Sequence, residues 1–451
     1  MPLMLSVSGI RGLVGSDLTP ELVARYAAAL GAWSAARGNA SVVLGRDART
    51  SGPMFAQAAT AGLLSVGCHV IDLGMVTTPT VQLAVEHHHA GAGLILTASH
   101  NPVEWNALKL VGPDGIFLDA AAGAAVRALA ESPEGPARSG WDALGSVEQD
   151  DGAMARHLDL VLELPELDVP LIRSRRFRVA LDCVRGVGGR IIPELLERLG
   201  CEVHGIHLES DGRFPREPEP IPENLGELGK LVTLSRAQVG MAVDPDVDRL
   251  ALVDERGEPI GEDYTLALAV RAVLPGTGSR ESVVVANLST SLVVEDAVRD
   301  VGGRLVRAPV GESNVAKAIQ AEAAVIGGEG NGGVILPSLH IGRDAPLGVA
   351  LILQYLAREN QPLSALVAAH PRYRIVKAKF KRGKDLGKVA GALKASFPEA
   401  SVDEQDGLRL AWPDKWVHLR NSGTEPVTRV IAEARTATEA EELVGLCRSY
   451  L

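Results

Sequence analysis

The segment Gly93-Leu94-Ile95-Leu96-Thr97-Ala98-Ser99-His100-Asn101-Pro102 decides the fold class of this chain. Its first four residues form a short apolar run that predicts a buried strand, and the polar residues after them predict a turn. In α/β folds, ligands and reactive groups lie at the carboxyl ends of strands. A hydroxyl at that position is a candidate nucleophile or group carrier, which makes Ser99 the first candidate for a catalytic residue.

Segments that predict strands alternate with segments that predict helices on both sides of this turn. Helices of about a dozen residues between strands imply parallel sheets joined by right-handed crossovers. We therefore expect three similar α/β domains with mixed or parallel sheets, over residues 1–150, 151–256 and 257–369. The predicted strands are residues 41–44, 68–73, 93–96, 178–182, 201–207, 238–243, 282–287, 303–306 and 323–326, with helices at 53–66, 79–88 and 152–164.

The pattern changes after residue 369. Residues 370–451 predict a smaller α+β domain. Thr438 is the expected N-cap of its last helix, because Glu441 three residues later completes a capping box. The predicted strands here are residues 373–380, 408–411, 416–419 and 429–434, with helices at 385–396 and 438–450.

The composition is that of an ordinary globular protein. The chain has 451 residues, of which 46% are hydrophobic, and a formal net charge of −11. This charge argues against a nucleic-acid partner and, more weakly, against an anionic membrane surface. No apolar run reaches the ~18 residues of a transmembrane helix and no signal peptide is evident, so we expect a soluble cytoplasmic protein. Four widely spaced cysteines predict neither a zinc site nor a disulfide framework.

A second motif, Asp244-Pro245-Asp246-Val247-Asp248-Arg249, follows a predicted strand and carries carboxylates at alternate positions. Crowded carboxylates repel one another unless a cation lies between them, and oxygen ligands favour Mg²⁺ or Ca²⁺. An EF-hand is a weaker interpretation, since Arg249 takes the position of the required glycine and a strand precedes the motif. A solvated acidic turn is the other alternative. We predict a Mg²⁺ site formed by Asp244, Asp246 and Asp248.

The glycine-rich segment Gly328-Glu329-Gly330-Asn331-Gly332-Gly333 formally matches a dinucleotide-binding fingerprint. The residues after it, Val334-Ile335-Leu336-Pro337, do not open a helix, so a pyrophosphate would find no helix N-terminus and the dinucleotide interpretation fails. A loop with one carboxylate and one amide suits the close approach of a polyhydroxylated ligand. A purely structural turn is the alternative.

A third motif, Arg420-Asn421-Ser422-Gly423-Thr424-Glu425-Pro426-Val427-Thr428-Arg429, combines two guanidinium groups with hydroxyls and a glycine. Charge-assisted hydrogen bonds contribute roughly 1.5–3 kcal/mol each, so several together can hold a phosphate. A structural loop with surface arginines is the alternative. The turns at residues 8–12 and 45–52 are weaker signals, and Arg46 with Asp47 is as easily a structural ion pair.

Together these motifs resemble the α-D-phosphohexomutase family, which comprises phosphoglucomutases, phosphomannomutases and phosphoglucosamine mutases. The resemblance implies four domains around a central cleft. It also implies an isomerase that moves a phosphoryl group between O6 and O1 of a hexose phosphate through a sugar bisphosphate. The motifs that carry the resemblance follow one another along nearly the whole chain: residues 8–12, 97–102 with Asn106 and Lys109, 211–215 with 218–220, 244–249, 327–329 and 420–429.

The resemblance implies catalytic roles as well. Phosphorylated Ser99 would supply the phosphoryl group, and Mg²⁺ would bind a phosphoserine oxygen together with the three aspartates. Lys109 would be a general acid and base if its surroundings lower its pKa. Arg11 and Arg249 would stabilise the moving phosphoryl group, and His100 belongs to the phosphoserine loop.

The resemblance assigns the sugar phosphate to two groups of residues. Glu329 would hold sugar hydroxyls, and the segment 420–429 would grip the phosphate that does not react. That grip would let the cleft accept either end of the sugar. The expected substrate-binding residues are Gly311, Glu312, Glu329, Asn331, Arg420, Ser422, Gly423, Thr424 and Arg429.

Two positions depart from the family pattern and bear on the substrate. Many relatives have Ser two residues after the glutamate of the sugar loop and often His two further on, whereas this chain has Asn331 and Gly333. The loop and residues 310–315 look most like archaeal-type phosphoglucosamine mutases, and a substrate amine would pair with Glu329 or Glu312. We hypothesise glucosamine 6-phosphate as the substrate of a monomer or homodimer. The alternatives are phosphomannomutase/phosphoglucomutase activity, a Mg²⁺-dependent sugar phosphatase and a non-catalytic phosphosugar sensor.

Overall fold

The computed structural model of the chain describes residues 4–6, 9–274, 282–383, 385–422 and 427–451. These residues form four sheets, each of which is built from one successive part of the chain. The first three sheets are mixed and carry helices, and the fourth is antiparallel throughout. The predicted α/β fold class with a smaller fourth domain is therefore confirmed.

The first sheet has seven strands in the order β1-β2-β6-β5-β3-β4-β7. The three predicted strands of this region are present and run parallel. Four strands were not predicted: β1, β7, and the two antiparallel strands β2 and β6, which pair with each other, β6 also pairing with β5. The strands β2 and β6 bear on the site. They carry Arg11 and Lys109. The elements are β1 (Met4–Ser6), β2 (Gly9–Leu13), α1 (Pro20–Ala35), β3 (Ser41–Arg46), α2 (Gly52–Leu64), β4 (His69–Met75), α3 (Thr78–His87), β5 (Ala92–Leu96), β6 (Trp105–Val111), α4 (Ala120–Glu131) and β7 (Val147–Gln149).

The second sheet has the order β11-β10-β8-β9, and its last hairpin is antiparallel. That hairpin places the acidic motif in the turn between β10 and β11. The elements are α5 (Ala153–Leu162), α6 (Val169–Arg175), β8 (Arg178–Asp182), α7 (Gly188–Arg198), β9 (Glu202–Ile206), the 3-10 turn Pro222–Asn224, α8 (Gly226–Ser235), β10 (Val239–Val243) and β11 (Leu250–Val253).

The third sheet has the order β13-β12-β14-β15. The strand expected at 323–326 begins instead at Ile326, because the preceding helix runs to Glu322 and Ala323 ends it in a left-handed conformation. The glycine-rich turn joins two antiparallel strands and opens no helix. The elements are α9 (Asp263–Val273), β12 (Val283–Asn287), α10 (Leu292–Asp300), β13 (Arg304–Ala308), α11 (Glu312–Glu322), β14 (Ile326–Glu329), β15 (Gly333–Ile335), α12 (Ala345–Glu359) and α13 (Leu363–Ala368).

The fourth sheet has the order β16-β20-β19-β18-β17. The expected capping box at Thr438 and Glu441 is wrong, because the helix begins two residues earlier. Thr436 is the N-cap and exchanges hydrogen bonds with Glu439. The elements are β16 (Arg374–Lys381), α14 (Leu386–Ser396), β17 (Ser401–Asp403), β18 (Leu408–Ala411), β19 (Trp416–Asn421), β20 (Val427–Ala434) and α15 (Ala437–Tyr450).

The hydrophobic cores are not divided in the same way as the sheets. The second and third sheets share one continuous core, in which the long helix α12 is buried along nearly its whole length. The fourth sheet has a core of its own. Among the described residues, no helix is both long and apolar enough to cross a membrane.

Candidate active site

The turn after β5 holds Ser99 in a strained and buried position. Its φ is +50°, a left-handed conformation that few non-glycine residues adopt, and its side chain is buried. The Ser99 amide donates to Thr97 Oγ1 at 2.9 Å, which tightens the turn. The Ser99 hydroxyl donates to Asp244 Oδ2 at 2.9 Å and lies 3.4 Å from His100 Nδ1. The structure thus joins the first two sequence motifs through one hydrogen bond.

Arg49 holds the backbone of this turn in place through its guanidinium, a role that was not predicted. Its guanidinium donates to the backbone carbonyls of Ser99 at 2.7 Å and Asn101 at 2.6 Å, and to two more carbonyls at 2.7 and 2.9 Å. It is fully buried and pairs with Asp47 at 3.0 Å. The ion pair expected between Arg46 and Asp47 is therefore wrong, since Arg46 contacts only the Asp47 backbone oxygen.

The acidic turn between β10 and β11 brings its three carboxylates together. Asp244, Asp246 and Asp248 are completely buried, and one oxygen of each lies within 4.8 Å of the others. The turn curls because Asp244 Oδ1 accepts the amides of Asp248 at 3.1 Å and Arg249 at 3.2 Å. Asp246 Oδ1 and Asp248 Oδ1 accept no hydrogen bond from the described residues. Buried carboxylate oxygens without donors are what a hard divalent cation requires.

Lys109 compensates part of this negative charge. Its Nζ lies 2.7 Å from Asp246 Oδ2 and 3.6 Å from Asp248 Oδ2. Burial alone would lower the pKa of Lys109, but the two carboxylates outweigh burial and the pKa is raised. Burial and the neighbouring carboxylates raise the pKa of Asp244 well above its usual range. The pKa of Asp246 is lowered despite its burial, because Lys109 lies against it.

A second arginine that was not predicted, Arg343, joins the acidic turn to the sugar loop. Its Nη2 donates to Asp248 Oδ2 at 2.6 Å, and its Nη1 donates to Glu329 Oε2 at 2.8 Å. Its Nε donates to Glu312 Oε2 at 2.9 Å. These three carboxylates, chiefly that of Asp248, outweigh the burial of Arg343 and raise its pKa. No signal in the sequence singled out Arg343, which stands between the glycine-rich turn and α12.

The remaining residues predicted around the reacting group lie beside the Ser99 turn. Arg11 donates to Asn101 Oδ1. Arg249 Nη1 donates to Glu219 Oε1 at 3.2 Å, and His100 Nε2 lies 3.8 Å from the same oxygen. Burial, with Arg249 and Arg11 nearby, lowers the pKa of His100 well below its usual range. His100 is therefore neutral at physiological pH and can accept a hydrogen bond.

The predicted sugar-binding residues differ in their contacts. Gly311, with φ +121°, precedes α11 and donates its amide to Glu329 Oε1 at 3.2 Å. Asn287 Nδ2 donates to the same oxygen at 2.8 Å, so Glu329 has both oxygens engaged. Asn331 bonds only within its own turn, where its Oδ1 accepts the Gly333 amide at 3.2 Å.

The fourth domain presents its arginines on adjacent strands. Arg420 on β19 is the direct cross-strand neighbour of Arg429 on β20. Arg420 Nε lies 2.8 Å from Asp406 Oδ2, and that oxygen also accepts the Val310 amide at 3.2 Å. Ser422 is buried and donates its amide to the backbone of β20. The predicted residues Gly423 and Thr424 lie outside the described residues.

Comparison with known proteins places these features in one family. Four family models, each describing one domain of phosphoglucomutase/phosphomannomutase, match successive parts of the chain. The models for α/β/α domains I, II and III match residues 4–135, 155–257 and 261–373, and the C-terminal domain matches residues 375–445.

Curated relatives are similar over their full length. A probable phosphoglucosamine mutase of Methanopyrus kandleri is 38% identical over 441 residues, which cover 97% of this chain and 95% of the relative. A phosphoglucomutase/phosphomannomutase of Thermococcus kodakarensis is 36% identical, over a match that covers 97% of this chain and 96% of the relative. The two names differ in the sugar that each protein is said to act on.

Solved structures share the fold. A phosphoglucomutase/phosphomannomutase family protein of Burkholderia thailandensis superposes with a TM-score of 0.86 at 27% identity, covering 99% of this chain and 96% of the other. N-acetylphosphoglucosamine mutase of Aspergillus fumigatus, solved with GlcNAc-6P and magnesium, gives a TM-score of 0.61 over 100% and 95% of the two chains. At 16% identity, that second likeness concerns the fold alone.

Proposed function

The chain belongs to the phosphoglucomutase/phosphomannomutase family of isomerases, and on this premise we propose that it interconverts glucosamine 6-phosphate and glucosamine 1-phosphate through a phosphoserine at Ser99. The observation that carries the proposal is the position of the Ser99 hydroxyl, 2.9 Å from a carboxylate of the buried acidic triad. A hydroxyl held against potential metal ligands is placed to carry a phosphoryl group.

The proposed reaction has two transfers. In the first, the bond between Ser99 Oγ and phosphorus breaks and a bond from phosphorus to a sugar hydroxyl oxygen forms; the hydroxyl proton leaves to a base, and Ser99 Oγ takes a proton. The sugar bisphosphate then turns over in the cleft. In the second transfer, Ser99 Oγ loses its proton and bonds the other phosphorus, the bond from that phosphorus to the sugar oxygen breaks, and the sugar oxygen takes a proton. Sugar bisphosphate is thus both the intermediate and the activator that restores phosphoserine.

The residues around Ser99 supply orientation and charge for these transfers. Arg11, which bonds Asn101 of the Ser99 turn, and Arg249, which directly follows the acidic triad, would stabilise the charge that develops on the phosphoryl group. Lys109 is protonated in the arrangement described, since its pKa is raised. Its proposed role as proton carrier therefore requires that the charge of Asp246 be partly offset by another cation.

The acidic triad fits a divalent cation. Asp244, Asp246 and Asp248 would hold Mg²⁺ through their buried oxygens, two of which accept no hydrogen bond. When bound, the ion offsets the negative charge of the phosphoryl group. The turn itself orients the three carboxylates, because Asp244 Oδ1 is fixed by two backbone amides.

The choice of an amino sugar is supported by the charge at the sugar end. Glu312 and Glu329 share the guanidinium of Arg343 with Asp248, which also lies 3.6 Å from Lys109 Nζ and 3.7 Å from Arg249 Nε. Burial, reinforced by Asp248 and Glu329, raises the pKa of Glu312 despite Arg343. An ammonium group on the substrate would relieve this excess of negative charge, whereas a neutral hydroxyl would not. The relative from Methanopyrus kandleri, named a phosphoglucosamine mutase, supports the same choice.

Phosphomannomutase/phosphoglucomutase activity is the second candidate, because the Thermococcus kodakarensis relative of that name is almost as similar. A coupled assay of kcat/KM with glucosamine 6-phosphate, glucose 6-phosphate and mannose 6-phosphate separates the two. We expect glucosamine 6-phosphate to give the highest value. The lowest value for that substrate would overturn the proposed sugar, and free phosphate as the main product would favour a phosphatase instead.

The phosphoserine has a separate test. Intact-mass analysis of the purified protein, followed by peptide mapping, should find an addition of about 80 Da on Ser99, the mass of a phosphoryl group. Incubation with sugar bisphosphate should increase the modified fraction. If no such addition appears after that treatment, the proposed mechanism is wrong even if the isomerase activity is present.

A further inference from the structure

Three loops that are far apart in the chain meet at the guanidinium of Arg343. Asp248 comes from the acidic turn, Glu312 from the start of α11, and Glu329 from the end of β14. Each of the three carboxylates takes a different nitrogen of the same planar group. All four side chains are buried.

The backbone of β15 is shaped around this arginine. A methyl group at position 333 would lie 2.2 Å from Arg343 Cδ and 2.8 Å from Arg343 Cγ, closer than any real contact allows. Gly333 also pairs with Glu329 across the hairpin, so the two positions are held side by side. Glycine at 333 is therefore the condition for Arg343 to reach Glu329 and Asp248.

We propose that Arg343, made possible by Gly333, is a positioning residue that fixes the sugar-binding carboxylates Glu312 and Glu329 relative to the cation-binding carboxylate Asp248. The proposal deepens the proposed function and rests on it for the identity of the sugar. Its consequence is that sugar discrimination and cation affinity depend on one side chain that binds neither ligand itself.

The geometry of the guanidinium is what performs this role. A planar group with five N–H donors holds three carboxylates in fixed directions, whereas an ammonium group carries the same charge at a single nitrogen. A change that keeps the charge but loses the fork should leave Asp248 and Glu329 less tightly oriented, since Glu329 then keeps its bonds to Asn287 and Gly311 but loses the one to Arg343. Groups that orient metal ligands from outside the ligand set typically affect metal affinity by 10–100-fold.

Arg343→Lys tests the fork with the charge kept. We expect Mn²⁺ or Mg²⁺ to bind the purified protein about tenfold more weakly, measured by calorimetry without substrate. We also expect the ratio of kcat/KM for glucosamine 6-phosphate to that for glucose 6-phosphate to fall severalfold. Arg358→Lys is the matched control, because Arg358 bonds only backbone carbonyls and Glu359, away from this cluster.

Gly333→Ala tests the space for the arginine. It should weaken cation binding as Arg343→Lys does. In a Gly333→Ala/Arg343→Ala double variant, cation binding should be no weaker than in Arg343→Ala alone, because the side chain that clashes with the alanine is gone. Gly391→Ala, at an open position of α14, controls for the backbone effect of alanine.

Unchanged cation affinity in both Arg343→Lys and Gly333→Ala, or fully additive effects in the double variant, would refute the proposal. The cation measurement does not depend on the sugar. An enzyme that prefers glucose 6-phosphate would therefore overturn the proposed substrate while leaving the coupling of positions 333 and 343 to be judged on binding alone.

Discussion

Arg343 and Arg420 belong to the two groups of residues proposed to bind the sugar phosphate, and their surroundings differ sharply. Arg343 is surrounded by three buried carboxylates, from Asp248, Glu312 and Glu329. Among the described residues Arg420 pairs with Asp406, and both side chains of that pair are about one-fifth exposed. Under the proposed function, the charges around Arg343 are preorganised and do not need to move when the reaction occurs. At the proposed phosphate anchor, an incoming phosphate would compete with Asp406 for Arg420.

The packing between domains shows the same contrast. The second and third sheets share one apolar core around α12. The third and fourth domains instead meet through polar contacts, among them Ser289 with His418 at 2.8 Å and the Leu292 amide with Glu433 at 2.8 Å. Polar interfaces of this kind open at lower cost than a shared hydrophobic core. The proposed phosphate anchor is thus carried by a domain that has its own core and meets the third domain through polar contacts.

The largest effect is expected from Ser99→Ala, which removes the atom that would form the covalent bond at the reacting end. Neither arginine can replace that atom, so isomerase activity should fall by at least about 10⁴-fold, with little change in substrate affinity. Steady-state assays and substrate calorimetry measure the two quantities. Retention of more than about 1% of the activity would show that Ser99 does not carry the phosphoryl group, whatever the binding data show.

Arg49→Ala extends the comparison to a third, fully buried arginine. It leaves Asp47 and four backbone carbonyls of the Ser99 turn without their donor, so the free energy of unfolding should fall by about 3–5 kcal/mol. Urea titration followed by circular dichroism measures the loss. Arg46→Ala is the matched control, because Arg46 is half-buried and gives one bond to a backbone oxygen. Equal losses in the two variants would contradict the role assigned to Arg49.

Asp406→Asn changes the other end of the comparison. It removes the anion that competes with a substrate phosphate for Arg420, while an amide oxygen remains for the Val310 amide. Since a partly exposed ion pair contributes about 0.2–1 kcal/mol, KM should fall by up to about fivefold and kcat should stay the same. Steady-state kinetics with glucosamine 6-phosphate measure both. A rise in KM would instead identify Asp406 as a residue that holds Arg420 in its binding position.

The contrast also explains what the sequence could predict. Strand and helix alternation gave the fold class, and the motifs at Ser99 and Asp244–Asp248 were visible because their residues are neighbours in the chain. Arg343 was not visible, because it meets Asp248 across 95 residues and has no local pattern. Arg49 lies in a turn that was noted in the sequence, but the ion pair with Asp47 was considered for Arg46 instead. The antiparallel strand of Lys109 was missed as well; it pairs with β5, the strand before it in the chain, and with the distant β2.

The smallest effect is expected from pH, and His418 should exert it at the proposed anchoring end. His418 is buried between the third and fourth domains, where it contacts Ser289 Oγ and the Asp406 carbonyl. Burial lowers the pKa of His418 in the fold. The unfolded chain therefore binds the proton more readily. The stability supplied by neutral His418 is present above about pH 6.5, its pKa when unfolded, and is lost as the pH falls below that value.

Hydrogen exchange between pH 7.5 and 5.5 distinguishes the two ends, after correction for the intrinsic exchange rate at each pH. Acidification should reduce protection of the Val310 amide, which donates to Asp406, while the Arg343 amide, which donates to Glu312, keeps its protection. In His418→Gln, the acid response at Val310 should shrink, because the titrating group is gone. An equal loss of protection at both amides would show that acid weakens the whole cleft, and that the difference between the two arginines does not extend to the domains that carry them.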